Sequence, residues 1–221
     1  MSDDGFQSDM TDMTEQTADE TSTLTFIQRT RRAQLVECAI NVLAEDGYAA
    51  ASLSRIAKRA GVSRGVIPYH FADRGELLDA VVAEVYGIAT EQLSVSIQSQ
   101  PTALLAVRRF IVGSAQFYQD FPTHMAALHE IVSHSRSDDG SLQHTEQSRA
   151  NDQELSAVGE LLERGKQSGE FRQFSTPIMA RTVRSALDGL LVQLRADAHY
   201  DAIADAEELA DIFECALILN H

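Results

Sequence analysis

Between Ser52 and Phe71 the chain reads Ser-Leu-Ser-Arg-Ile-Ala-Lys-Arg-Ala-Gly-Val-Ser-Arg-Gly-Val-Ile-Pro-Tyr-His-Phe, and its side chains suit contact with DNA rather than covalent chemistry. Arg64 can reach a guanine edge or a phosphate, and Val66 can touch a thymine methyl. Gly65 allows a helix to approach a duplex closely. Two short helices around a tight turn would carry these groups. Ser52 is placed to cap the first, with Ile56, Ala57 and Ala60 as its buried face. Gly61 suits the left-handed position that ends it, and Ser63 is placed to cap the second. That is the layout of a helix-turn-helix, whose second helix enters the major groove while the first crosses the backbone. A plain helical hairpin has the same local pattern, so this stretch alone leaves both readings open.

Charge distribution favours the first. The 221 residues carry a formal net charge of −15, unevenly spread. Residues 1–28 hold seven acidic and no basic side chains, and residues 75–221 hold 22 acidic against ten basic. Only residues 29–74 are basic, with eight cations (Arg29, Arg31, Arg32, Arg55, Lys58, Arg59, Arg64, Arg74) against four acidic groups. A basic module in an acidic chain is the electrostatic footprint of phosphate contact. The acidic remainder would repel DNA and confine the docking face.

The run from Arg32 to Leu78 resembles the N-terminal domain of the TetR family of transcriptional regulators. The resemblance is carried by Ala39-Ile-Asn-Val-Leu-Ala-Glu-Asp-Gly-Tyr48, Ser52 to Ala57, Ala60-Gly-Val-Ser63, Arg64-Gly-Val-Ile67, Tyr69-His-Phe71 and Asp73-Arg-Gly-Glu-Leu-Leu78. It implies an all-α chain: an N-terminal three-helix helix-turn-helix DNA-binding domain, then a larger helical domain that binds a small molecule and dimerises. It also implies a homodimeric, mostly repressing regulator on a palindromic double-stranded operator. The DNA-binding set would be Ser52, Ser54, Ser63, Arg64, Gly65, Val66, Tyr69, His70 and Arg74. Within it, Tyr69 and His70 match a tyrosine and a histidine that hold the phosphate backbone, and Arg74 stands where a lysine does the same. Pro68 departs from the usual tyrosine, and proline inside a helix removes a hydrogen bond, so a kink or 3₁₀ turn is expected there. Ala51 replaces a common hydroxyl residue, with the expected loss of a contact.

The elements that must position this module follow from periodicity. A polar, acidic stretch over 1–28 reads as a disordered tail. The DNA-binding domain would span 29–75, with a first helix from about Thr30 to Asp46 burying Leu35, Ala39, Val42 and Leu43, and Tyr48 packing back on that core. Arg29, Arg31 and Arg32 at its start oppose the helix dipole but suit a passing phosphate. Asp73 and Glu76 form a capping box for the next helix, which the resemblance implies connects head to body. By the same resemblance, residues 76–221 would make up the ligand-binding and dimerisation domain.

Within that body, Phe110, Phe117, Tyr118, Met125 and His129 are candidates to line a cavity for a small-molecule effector, although the same content suits ordinary core. A polar loop is expected over 134–150 and a helix from about Asp152. The last two helices, near 176–197 and 202–219, have wide apolar stripes. Val183, Leu187, Leu190, Leu191, Leu194, Leu209, Ile212, Phe213 and Ala216 are candidates for a four-helix dimer interface, or for burial inside one subunit.

Other function classes find little support. No Gly-rich phosphate loop, nucleophile elbow or paired-histidine metal motif is present, so neither enzyme, cofactor nor metal site is expected. His124, His129 and His134 are five apart and do not share a helix face. No apolar run suffices for a membrane span and no signal peptide is recognisable, which places the expected site of action in the cytoplasm. Cys38 and Cys215 read as buried thiols. The competing reading is an all-helical interaction or adaptor protein whose basic patch reads no sequence.

Overall fold

The computed structural model describes residues 6–134, 145–197 and 199–218, and these form helices joined by short turns. The first helix, α1, spans Phe6–Asp46 and begins far ahead of Thr30. The acidic stretch read as a disordered tail is thus helical from Phe6. No glycine or proline interrupts residues 6–46, so nothing in the sequence breaks the helix there. Arg29, Arg31 and Arg32 lie inside α1, not at a helix start, so the dipole penalty expected for them does not arise.

The head forms around the C-terminal half of α1. Leu35, Ala39, Val42 and Leu43 are fully buried, as their spacing predicts. They meet Ile56 and Ala57 of α2 (Leu53–Arg59), Ile67 of a 3₁₀ turn over Arg64–Tyr69, and Phe71. The body begins with α3 (Arg74–Gln98), capped as predicted: Asp73 Oδ1 accepts from Glu76 N–H at 2.9 Å, while Glu76 Oε2 accepts from Ala72 N–H at 2.7 Å. Then come α4 (Ala103–Asp120) and α5 (Pro122–Ser133), split where Pro122 occupies the first turn of α5.

The predicted loop over 134–150 falls partly on residues 135–144, outside the described residues. Its remainder is helical, because α6 (Thr145–Gln167) starts at Thr145 rather than near Asp152. Glu146 stands in its first turn and pairs with Arg149 one turn on, at 2.6 Å. The last helices are α7 (Thr176–Ala196) and α8 (Ala202–Leu217), the latter capped by Asp201 Oδ1 on Ala204 N–H at 3.0 Å.

Two contacts over long sequence separations close the body. Arg108 of α4 forks onto Asp211 and Glu207 of α8, each at 2.5 Å. Glu170, after α6, accepts from Ala103 N–H and Leu104 N–H at 3.2 Å each, which satisfies orphan donors at the start of α4. Burial raises the Glu170 carboxyl, but those two backbone donors and Ser168 outweigh it and hold the group below its ordinary value.

Burial sorts the remaining candidates. Val183, Leu187, Leu190 and Phe213 are buried within the protomer, so these four belong to its own core. Each sits on the side of α7 or α8 that faces the bundle, a distinction that stripe width alone does not reveal. Cys215 is exposed and Cys38 half-buried, so neither is the fully buried thiol expected from apolar neighbours.

Two glycines of α6 give a stability test of opposite signs. A Cβ on Gly165 would lie 2.1 Å from the Phe171 ring, whereas one on Gly159 would meet only Thr176 Cγ2 at 3.7 Å. Gly165→Ala is expected to destabilise by about 1–3 kcal/mol through overpacking. Gly159→Ala is expected to stabilise by about 0.5–1 kcal/mol, because alanine loses less backbone entropy in a helix. Denaturant unfolding of both variants reads the two signs directly.

Candidate nucleic-acid interface and ligand cavity

The turn between α2 and the 3₁₀ segment forms as its residues demand. Ser52 Oγ accepts from Arg55 N–H at 3.3 Å, capping α2. Gly61 ends α2 at φ +68°, a conformation that disfavours any side chain with a Cβ. Ser63 caps differently from expectation: its hydroxyl makes no capping bond, and its carbonyl accepts from Val66 N–H at 3.0 Å. Pro68 has no N–H for an α-helical bond to Arg64, and the whole segment Arg64–Tyr69 is 3₁₀. His70 and Phe71 N–H both close on Ile67 O, at 2.8 and 3.0 Å.

The two segments leave Ser52, Ser54, Lys58, Ser63, Arg64, Gly65 and Tyr69 exposed. Tyr69 has 86% of its surface accessible, more than any other large apolar or aromatic side chain described. Val66 and His70 are half-buried beside it. Among the described residues Lys58 and Arg64 enter no ion pair. Arg55 and Arg59 of the same helix are tied to Asp46 (2.7 Å) and Glu45 (2.5 Å) at the end of α1. The hydrogen bond from Arg59 holds the Glu45 carboxyl below its ordinary range. These two arginines brace α2 against α1.

Two predicted contacts are reassigned. Arg74 points inward: its Nε donates to Ala51 O at 2.7 Å, its Nη2 donates to Tyr48 O at 2.5 Å, and its guanidinium lies 4.2 Å from the Tyr48 ring centroid. It clamps the turn that precedes α2. Ala51 is fully buried, so its methyl belongs to the core and a hydroxyl there would not reach the surface.

The same turn is gripped from the body. Gly47 adopts φ +81° and delivers Tyr48 N–H to Glu130 Oε2 of α5 at 3.0 Å. The Tyr48 ring stacks on His134, with centroids 4.7 Å apart and planes within 5°. Glu130 Oε1 also faces Arg195 at the end of α7, at 3.9 Å. A single carboxylate of α5 thus faces both the head and a second body helix, α7.

The other side of α5 helps to enclose a cavity of about 530 Å³ bounded by α3, α4, α5, α6 and α7. Phe110, Phe117, Tyr118 and Met125 line it as predicted. His129 does not: its ring nitrogen pairs with Ser133 Oγ at 3.0 Å on the outer side of α5, and Leu128 takes the lining position.

Sequence reasoning missed the polar end of this cavity. Arg184 of α7 and Glu154 of α6 face each other at 3.4 Å, Arg184 Nη1 donates to Tyr118 Oη at 3.3 Å, and Arg184 Nη2 reaches Asp188 at 3.2 Å. Burial pushes the Tyr86 phenol up to about 12 and raises Tyr118 above its ordinary value. Burial also raises Glu154, against the pull of Arg184. For Arg184 burial works against the charge, but Glu154 and the two phenols keep it above the ordinary arginine range. The available signal was Arg184 itself, a cation beside Val183 in an otherwise apolar stripe.

Outside the bundle, α7 and α8 leave apolar side chains uncovered: Ile178 (60% accessible), Val192 (58%) and Ile212 (54%). Leu191, Leu194, Leu209 and Ala216 are half-buried alongside. Among the described residues no group of acidic, histidine or cysteine side chains could hold a metal, and no helix is long and apolar enough to cross a membrane.

The structure thus sets a helix-turn-helix head on a helical body that holds a cavity. Residues 35–81 match the family model described as bacterial regulatory proteins, tetR family. The head thus matches the TetR-family model, and the chain as a whole has the fold of solved TetR-family regulators. Over 76 residues it is 33% identical to the fatty acid metabolism regulator protein of Bacillus subtilis, covering 34% of this chain and 39% of that one. The chain aligns with about half or less of the length of the curated relatives it matches. Its fold is similar to that of the transcriptional regulator FadR from Bacillus subtilis solved with stearoyl-CoA (TM-score 0.74, 21% identity, covering 81% of this chain and 96% of that one). It is also similar to the TetR family transcriptional regulator PfmR from Thermus thermophilus (TM-score 0.68, 20% identity, covering 85% and 99%).

The two kinds of arginine in the head should separate in experiment. Arg74→Ala removes a charge-assisted clamp on two carbonyls and is expected to cost about 1.5–3 kcal/mol of stability. Arg64→Ala and Tyr69→Ala, being exposed, should leave stability within about 0.5 kcal/mol. Those two should weaken duplex binding instead. Chemical denaturation and a duplex titration on each variant check the split.

Proposed function

We propose that this protein is a transcriptional regulator that works as a homodimeric repressor, binds a palindromic operator through its heads, and is released by a small-molecule effector in the body cavity. No enzymatic step is assigned to it. The observation that carries the reading lies in α5. Met125 and Leu128 of this helix line the cavity, while Glu130 and His134 hold the Gly47–Tyr48 turn of the head. An effector that displaces α5 acts on the head through contacts already in place.

The DNA-facing set in this reading is Ser52, Ser54, Ser63, Arg64, Gly65, Val66, Tyr69 and His70, with Lys58 added. Phosphate contacts from Ser52, Lys58, Tyr69 and His70 set the docking register, and Arg64 and Val66 read base edges. Arg74 contributes indirectly, by fixing the turn from which α2 starts.

For the dimer, Ile178, Val192 and Ile212 supply the uncovered apolar surface, and Gly189 lets a partner helix come close. Leu191, Leu194, Leu209 and Ala216 widen the patch. Association of α7 and α8 with their two-fold mates would bury it in a four-helix interface. Two heads then meet half-sites about one helical turn apart, roughly 34–36 Å, or a multiple of that. Effector binding changes their spacing, and operator affinity falls by a coupling energy of about 1–3 kcal/mol.

Selection of bound duplexes from a random pool, across a salt series, tests the reading. The expected outcome is a palindromic consensus whose affinity falls steeply with salt while the preference for the site persists. Duplex binding with no consensus would favour the interaction-protein alternative. The joint has its own test: Glu130→Ala should speed hydrogen exchange of the Tyr48 amide and change operator affinity by about tenfold, the scale of one charge-assisted hydrogen bond. Unchanged exchange and affinity would remove α5 from the route.

A further inference from the structure

We propose that the cavity takes an uncharged amphiphile, with an elongated apolar body lying along α3 and a hydroxyl or carbonyl head set against Tyr118, Glu154 and Arg184. The inference rests on the effector reading above and narrows it to a chemical class.

Shape comes first. The lining contributed by α3 runs from Val85 to Gln98. At 1.5 Å per residue that is a run of about 20 Å. With about 530 Å³ to fill, the space favours a long body over a compact ring system. Its middle is apolar, with Ala89, Leu93, Ile97, Phe110, Phe117 and Leu161 along the walls.

Charge decides the head. At one end the lining holds Glu154 and Arg184, and it also includes Glu160 and Arg164, so its formal charges cancel. Arg184 already faces two carboxylates, Glu154 at 3.4 Å and Asp188 at 3.2 Å. It has no unmatched charge to offer an anion, which would also face Glu154. A cationic head would meet Arg184, and the buried carboxylate there, Glu154, is already engaged by that arginine. Either ion would bring a buried charge without a partner, which is costly in a desolvated site. An uncharged head meets no such penalty and finds hydrogen bonds. Tyr118 Oη accepts from Arg184 at 3.3 Å, so its own O–H can still donate to a ligand oxygen. Glu154 Oε2 and Arg184 Nε make no hydrogen bond beyond their long mutual contact. A hydroxyl, which both donates and accepts, completes this set.

The buried phenols support the assignment. Tyr86 is pushed up to about 12 by burial and remains a neutral donor across the physiological range.

The test is calorimetric titration of the full chain at neutral pH with three probes that share one tail: 1-decanol, decanoate and decyltrimethylammonium. Decanol is expected to bind at least about tenfold more tightly than either ion. Glu154→Gln removes the buried counter-charge of Arg184, so the ratio of decanoate to decanol affinity should move about tenfold towards the anion. A merely structural role for Glu154 would weaken all three probes together. Either ion matching or exceeding decanol on the unaltered protein overturns the proposal. A protein that selects an operator yet binds none of the probes overturns it too, and leaves the DNA reading standing. One that binds decanol selectively but selects no operator supports the ligand class and sinks only the regulator reading.

Discussion

The hydrogen bond between Tyr48 N–H and the Glu130 carboxylate is the constraint on which the arrangement of head and body depends. It forms only because Gly47 takes φ +81° and turns the chain out of α1 towards α5. Around it, Arg74 covers one face of the turn and bonds its carbonyls, while His134 stacks on the tyrosine ring. The partners come from three elements: the end of α1, the start of α3, and the C-terminal part of α5, which supplies both Glu130 and His134. The turn that launches α2 is therefore oriented by the body as well as by its own head. Packed elements held this way pass from one arrangement to another and do not deform smoothly.

The cavity has a different physical character. A bundle optimised for stability would fill this volume with apolar side chains, because unfilled space and buried ions both cost free energy. Here a space of about 530 Å³ remains, and an Arg–Glu pair with two phenols closes one end of it. Replacing such a pair by apolar residues is often neutral or stabilising in proteins. The polar cluster is thus poorly explained as a contribution to stability, and the proposed ligand role accounts for it better.

Much of the head was legible in the sequence because its rules are local. Ser52 caps α2, Gly61 turns left-handed, Asp73 and Glu76 form their box, and the Pro68 segment is a 3₁₀ turn. Each depends on neighbours within about four residues, where backbone geometry and side-chain reach leave few choices. Four of the five proposed cavity residues were also legible, because aromatic and methionine side chains on α4 and α5 recur on one face. His129 failed for lack of an angular reference: it follows Leu128 by one position, and only the packed helix shows which of the two turns inward.

The sequence by itself determined the helical elements, most of their ends, the basic character of the head and its exposed groups. Only the tertiary structure decided how charged and apolar side chains were used. Arg74 became a clamp because Tyr48 and Ala51 carbonyls fold beneath it, and Arg184 became the polar end of a cavity because Glu154 and Tyr118 converge on it. Val183, Leu187, Leu190 and Phe213 went to the protomer core, while Val192 and Ile212 stayed outside. The reason is one of range. Capping and periodicity act over a few residues, whereas the partner that gives a charge or a methyl group its role lies tens of residues away, as Glu130 does from Tyr48, and is brought there by packing alone.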